Sequence, residues 1–200
     1  MSDLQIIECE QGSPEWFEAR RGVVTASRFS DVLAKGQGIT RRKYMLTLAA
    51  EIITGEREEG YTNARMERGH IMEAEARNLY AFEKDVEPKL VGFMRRGRIG
   101  ASPDSLIGDV GVLEIKTKLG HLQLDVLDKN KLPNEHVAQV QGQLLVSGCQ
   151  WADFVSYWPK LPLFCIRVYR DEEYIANLQS ELDKFLAEME TYIERFGVKV

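Results

Sequence analysis

Cysteine is scarce in this sequence. Cys9, Cys149 and Cys165 are the three in 200 residues. They form neither an even set nor a C-x-x-C pair, which excludes a readable disulfide framework or thiolate metal centre and fits a reducing compartment. Long apolar runs are also missing. None approaches the roughly 18 residues of a spanning helix, and the opening MSDLQIIECEQG carries acids where a secretory signal needs bases. Both absences predict a cytoplasmic protein. No repeat, low-complexity tract or Pro/Gly/Ser-rich linker divides the chain, so one domain over residues 1–200 is expected. Positive charge is short as well, with 26 Lys+Arg against 31 Asp+Glu and a net charge of -5. Taken whole, that balance argues against a protein that coats nucleic acid or a membrane. The deficit is local, however. Residues 171–200 hold eight acids and three bases, and the other 170 hold 23 of each.

What is present reads as a mixed α/β layer fold. The first part, residues 14–83, is helical. Thr25-Ala26-Ser27 resembles an N-cap before a short helix ending near Gly36, Thr40 caps a second helix that stops at Gly55, and a third runs from about Tyr61 to Phe82. Between Val91 and Thr117 glycines separate short apolar runs, the pattern of strands and tight turns. A helix is predicted over Asn134–Val146, then strands near Asp153–Trp158 and Leu163–Tyr169. The last helix, 171–197, places Glu172 and Glu173 at its positive dipole end. Its apolar stripe is Tyr174, Leu178, Leu182, Phe185, Met189, Tyr192 and Phe196.

Chemistry concentrates in Ser102-Pro103-Asp104 and Glu114-Ile115-Lys116. Strand alternation puts Val112, Glu114 and Lys116 on one face. A hairpin turning at residues 108–111 brings Asp104 beside Glu114. Two carboxylates that close repel unless a cation lies between them. Such hard oxygens suit Mg²⁺ or Mn²⁺, with the Ile115 carbonyl a natural further ligand, and Lys116 would orient or help deprotonate an attacking water and offset phosphorane charge. The plain alternative is a turn acid after a proline and an exposed polar strand face. In the third helix Met66, Gly69, Glu73, Ala76 and Tyr80 share a small and apolar stripe, so Glu73 needs a partner: a metal held by Asp104 and Glu114, or Arg77 four residues on.

The stretch Tyr61 to Tyr80, the SPD and EIK segments, and Val137-Ala138-Gln139-Val140-Gln141 together resemble the YqaJ-type viral recombinases, the family of phage lambda exonuclease. So does Trp16-Phe17-Glu18-Ala19-Arg20-Arg21-Gly22-Val23-Val24-Thr25-Ala26-Ser27, similar to the family's Trp, Arg-x-Gly and Thr-Ala-Ser signature. The resemblance implies a PD-(D/E)xK core over residues 86–170, a central mixed sheet flanked by helices. It also implies a Mg²⁺-dependent exonuclease that degrades one strand of linear duplex DNA from its 5′ end, as a homotrimeric ring beside a single-strand annealing protein. By the same resemblance Asp104 and Glu114 are metal ligands, Lys116 is the catalytic lysine, and Glu73 is a further acid near the metal. Gln139 positions the lysine or water, Arg20, Ser27 and Ser102 hold the 5′-phosphate, and Trp16 lies near the DNA end. Ser27 at a helix start also suits an anion on physical grounds, and Arg20 suits a phosphate clamp. The family's later phosphate-binding arginine is absent; Lys118 and His121 stand in that stretch.

Two basic clusters remain: Lys35, Arg41, Arg42 and Lys43, and the group Arg95, Arg96 and Arg98 that leads into Asp104. They read either as solvated loop charge or as contacts to DNA phosphates. The competing functions are a PD-(D/E)xK endonuclease of restriction or repair type and a non-catalytic DNA-end-binding module.

Overall fold

The computed structural model describes residues 3–34, 39–57 and 64–197, with backbone alone over 64–70. Lys35, Gly36 and Tyr61 lie outside the described residues, as do the side chains of Met66 and Gly69. Two sheets organise the described chain. One has the order β1 (Gln5–Ile7), β4 (Phe93–Arg96), β5 (Ile99–Ala101), β2 (Val24–Thr25). The other runs β3 (Pro88–Lys89), β6 (Ser105–Ile107), β7 (Gly111–Thr117), β8 (Trp151–Tyr157), β9 (Phe164–Tyr169). Within the second sheet β7 pairs antiparallel with β6 and parallel with β8, with Glu114 opposite Phe154.

That central strand is covered on both faces, so its alternation separates two cores. Leu113 and Ile115 join Val155 and Tyr157 against Met72, Ala76 and Tyr80 of α4 (Ala64–Lys84). On the other face Val112, Ala152 and Phe154 belong to the core of Val140 and Leu144 on α6 (Asn134–Ser147). Glu114 and Lys116 therefore share the α6 face, as the strand period predicts. The remaining helices are α1 (Pro14–Arg20), α2 (Phe29–Val32), α3 (Ile39–Thr54), α5 (Gly120–Lys129) and α7 (Glu172–Phe196).

The short strands β1, β2 and β3 and helix α5 add to the elements expected from sequence. Thr25 does not cap a helix: it ends β2, and a 3-10 turn of three residues, Ala26–Arg28, leads into α2 without a side-chain cap. Thr40 likewise lies inside α3. Gly55 does close α3, with φ at +73° and its N–H on the Glu51 carbonyl, a backbone state that favours glycine. Asp171 caps α7 by accepting from the Tyr174 N–H at 2.9 Å. Leu178, Leu182, Phe185 and Met189 of its stripe are fully buried, while Phe196 is 57% exposed. The stripe ends one turn before the helix does.

Gly142 sets the approach of α6 to the Ser27 turn. A Cβ there would stand 2.3 Å from the Phe29 ring and 3.4 Å from the Ala26 Cβ. Any side chain would push the turn away from the sheet.

Candidate active site

Asp104 sits between β5 and β6, and its N–H bonds the Leu113 carbonyl at 3.0 Å across the hairpin. Its carboxylate Oδ2 accepts the Ile115 N–H at 2.5 Å. On the neighbouring strand Glu114 is 2% exposed. Glu114 Oε1 takes the Lys116 ammonium at 2.5 Å and the Gln139 amide at 2.5 Å, and Oε2 takes the Gln143 amide. Sequence spacing thus brought Asp104, Glu114, Lys116 and Gln139 to one cleft of about 200 Å³, which also contains Trp16, Arg20, Ser27 and Ser102.

Electrostatics distinguish this cleft. Burial, then Glu114, then Glu73 push the Asp104 carboxyl well above the usual carboxylate range, although the Ile115 N–H and Lys116 oppose them. Burial works against the Lys116 charge, but Glu114, Asp104 and Glu73 outweigh it and hold the ammonium above its ordinary value. Lys116 is therefore held as a cation here. Among the described residues no three His, Cys, Asp or Glu side chains converge on one point. Still, the carboxyl of Asp104 repelled by two others is the donor set of a hard divalent cation, and the fit is good in chemistry.

Glu73 approaches from another side. It lines a separate cleft of about 600 Å³, and the two clefts have Asp104 and Gln11 in common. Arg77 bonds Glu73 at 2.5 Å and reaches Ser105 Oγ at 3.1 Å. Of the two partners weighed for Glu73 the structure places Arg77 on it, and the Glu73 charge also acts on Asp104.

In the cleft that holds Glu114, the Trp16 indole N–H donates to Ser102 Oγ at 2.8 Å, and the Arg20 guanidinium lies 3.9 Å from the Trp16 ring and 3.4 Å from Ser102 Oγ. Trp16 is the floor on which Arg20 rests. Burial draws the Arg20 pKa down to about 10, and Arg57 adds to it while Tyr44 opposes; the group stays charged at neutral pH. Ser27 faces this cleft too, but within a turn too short to carry a helix dipole, so its hydroxyl rather than a helix terminus is what it offers.

Other basic residues are placed elsewhere. Arg95 bonds the Gly97 carbonyl at 2.6 Å, Arg96 bonds the Val146 carbonyl at 2.7 Å, and Arg98 pairs with Glu190 at 2.9 Å. Arg41 makes a bidentate pair with Glu188 at 2.7 and 2.8 Å. The acidic face of α7 thus meets these clusters instead of standing clear of them. Neither Lys118 nor His121 joins Arg20. Lys118 turns to His136 at 3.0 Å and to Glu135 at 3.3 Å.

Sequence reasoning missed Gln143 and Gln11. Gln143 is four residues after Gln139, hence on the same helix face, which was a usable signal. Its Oε1 is buried with no hydrogen-bond partner in the structure and its side chain lines the cleft. Gln11 donates to the Val91 and Pro103 carbonyls, both at 2.9 Å, and fixes the loop before Asp104. Nothing in its neighbourhood of sequence marks it.

Comparison with known proteins identifies a family and a fold. The family model of the YqaJ-like viral recombinase domain matches residues 15–150. The search of curated proteins returned no match. Among solved structures, an alkaline exonuclease (LHK-Exo) from Laribacter hongkongensis is 39% identical with a TM-score of 0.84, over 92% of this chain and 95% of that one. Its complex with dAMP has a TM-score of 0.85 at the same identity and coverage. A phage-related exonuclease from Haemophilus somnus 129PT, 14% identical, shares the fold with a TM-score of 0.61 over 86% of this chain and 94% of that one. The fold is the PD-(D/E)xK type that the family resemblance implied.

Proposed function

The chain belongs to the YqaJ-like viral recombinase family, and on that premise we propose that it is a Mg²⁺-dependent processive 5′-to-3′ exonuclease of linear double-stranded DNA. That it is a DNA nuclease of the lambda exonuclease type follows from the family. The finer reading rests on one observation: a carboxyl cluster that needs a cation, Asp104 with Glu114, lies in the same cleft as Arg20, an arginine with no carboxylate partner among the described residues. Asp104, Glu114 and the Ile115 carbonyl would hold Mg²⁺, or Mn²⁺ in its place, with Glu73 behind. The metal supplies Lewis acidity and an activated water.

The chain's own residues do the rest. Lys116 keeps its proton, orients the attacking water and offsets charge as the phosphorus gains a fifth oxygen. Gln139 and Gln143 fix the Glu114 carboxylate so that it cannot rotate away from the metal side. Arg20, Ser102 and Ser27 receive the terminal 5′-phosphate, and Trp16 holds Arg20 flat beneath it. A terminal phosphate carries more charge than an internal diester, so the cleft selects phosphorylated ends. Release of a 5′-mononucleotide is consistent with the dAMP complex of LHK-Exo. We assign residues 1–200 to one exonuclease domain acting as a homotrimeric ring. Its product, a 3′ single-stranded overhang, would pass to an annealing protein in the cytoplasm of a bacterial host. Among the described residues no helix is long and apolar enough to cross a membrane.

The test is a single panel: linear duplex with 5′-phosphate or 5′-hydroxyl ends and covalently closed circular duplex, each with Mg²⁺ or EDTA. The expected result is degradation of linear DNA only, with Mg²⁺ only, faster from the phosphate end. Cutting of closed circles would establish an endonuclease instead. Persistence of linear DNA with Mg²⁺ would leave a non-catalytic end-binding module.

A further inference from the structure

The catalytic cleft does not stop at Arg20. On the other side of that guanidinium lies a further cleft of about 370 Å³, which has Arg20 and Thr25 in common with the first. Its walls carry four cations, Arg20, Arg28, Lys43 and Arg57, against the acid Glu51. Glu51 is committed to the Gly22 N–H at 2.8 Å. Arg28 is paired with Asp31 and stacked 4.4 Å from the Tyr44 ring. Arg57 lies 3.8 Å from the Phe17 ring, and neither it nor Lys43 has a carboxylate partner among the described residues. Arg57 also helps lower the Arg20 pKa, so the two cations of this cleft press on one another. Four cations against one acid in a cleft leave an excess of positive charge that is costly in the empty protein and becomes favourable once an anion enters. The volume is in the small-molecule range of roughly 300–1,000 Å³.

We propose that this cleft is a second phosphate subsite, one step beyond the terminal-phosphate pocket, which accepts a phosphate-bearing extension of the 5′ end. The proposal rests on the reading of Arg20 as the terminal-phosphate residue. Two sources share this chemistry. One is a 5′-triphosphate, whose outer phosphates reach past Arg20. The other is one extra nucleotide, which places an internal diester at Arg20 and its own 5′-phosphate among Lys43 and Arg57. In the second case water adds to phosphorus at the following diester, the P–O3′ bond breaks and the 3′ oxygen takes a proton. The released piece is a 5′-phosphorylated dinucleotide, and the remaining strand keeps a 5′-phosphate.

Binding separates this from the cleavage reading. Affinities of short duplexes with 5′-hydroxyl, 5′-monophosphate and 5′-triphosphate ends would be measured in EDTA, where no hydrolysis is expected. The triphosphate should bind about tenfold more tightly than the monophosphate, as one charge-assisted contact allows. Arg57→Gln should remove that step and leave the monophosphate-over-hydroxyl step intact; Arg57→Lys should restore it. Equal binding of tri- and monophosphate ends, or equal weakening of both by Arg57→Gln, would overturn the proposal. With Mg²⁺, the first product from a 5′-phosphorylated one-nucleotide overhang identifies the source: a dinucleotide supports the nucleotide extension, and a mononucleotide confines the subsite to polyphosphate ends. Loss of the monophosphate-over-hydroxyl step in the wild-type protein would instead refute the Arg20 assignment.

Discussion

Glu114 on β7 and Asp153 on β8 are neighbouring carboxylates of nearly equal burial, 2% and 1% exposed, on opposite faces of one sheet. Asp153 is closed. Arg167 grips it with two bonds of 2.8 Å, the Tyr80 hydroxyl donates at 2.7 Å, and Arg167 itself is stacked 3.6 Å from the Trp151 ring. Glu114 is held as firmly, by Lys116, Gln139 and Gln143, yet it opens on a cleft shared with Asp104, whose carboxyl forms no ion pair among the described residues and is only partly offset by Lys116. Burial of an acid is thus not what marks chemistry. What distinguishes the two is whether the surrounding charges already balance.

The largest test removes the imbalance. Asp104→Asn should lower the exonuclease rate by about 10³-fold or more, since metal chemistry supplies several kcal/mol. The same change should raise the melting temperature in EDTA at alkaline pH. The sign follows from proton binding. A carboxyl raised in the folded state binds its proton more tightly there than in the unfolded chain, so stability falls as pH rises from about 3.8 toward the folded value, and the cost grows toward alkaline pH. Asn carries no such cost, and Mg²⁺ should stabilise the wild type alone. Calorimetry with and without Mg²⁺ reads this directly. A variant that melts lower in EDTA would mean Asp104 is no less balanced than Asp153.

The converse change acts on Asp153. Asp153→Asn leaves Arg167 and Tyr80 with a weaker partner. Breaking a buried pair costs about 3–5 kcal/mol, and the 44% exposure of the Arg167 side chain lets water compensate part of it, for about 2–3 kcal/mol here. Denaturant unfolding should show that loss, while the rate per folded molecule stays near wild type. A specific loss of cleavage at unchanged stability would erase the contrast between the two acids.

The two sites were not equally legible. Asp104, Glu114 and Lys116 could be read because strand alternation and a glycine turn fix which side chains meet across a hairpin, and both are local properties. The major helices and strands were readable for the same reason, through the stripe of α7 and the glycine at 55. Asp153, Tyr80 and Arg167 come from α4, β8 and β9, and only tertiary packing brings them together. The pairs Arg41–Glu188 and Arg98–Glu190 join residues more than ninety positions apart, so nothing local in the sequence joins the α7 acids to those bases. Strands β1 to β3 are two or three residues long and exist through partners distant in sequence, with no period of their own to detect. Arg20 was placed by motif resemblance, whereas the second basic cleft behind it needed Lys43 and Arg57 to be seen together.

A third buried group asks whether a displaced pKa alone could mark the site. His136 is stacked on Phe154 at 5.1 Å and accepts from Lys118 at 3.0 Å. Burial first, then Lys118 and Lys116, lower its pKa to about 4. Such an imidazole is neutral wherever the enzyme would work, so it neither donates nor gains a proton in the cycle: the displacement is structural. Because the folded value lies below the unfolded 6.5, stability is present above about pH 6.5 and declines as pH falls toward 4. The loss should be about 2 kcal/mol over that window, allowing for the partial exposure of the ring. Urea unfolding at pH 7 and pH 4.5 should show it in the wild type, and His136→Gln should reduce the difference by that amount while leaving cleavage at alkaline pH within about threefold. If His136→Gln instead removed cleavage at alkaline pH, the imidazole would belong with Asp104 and Lys116, and balance of charge would no longer separate the working groups from the structural ones.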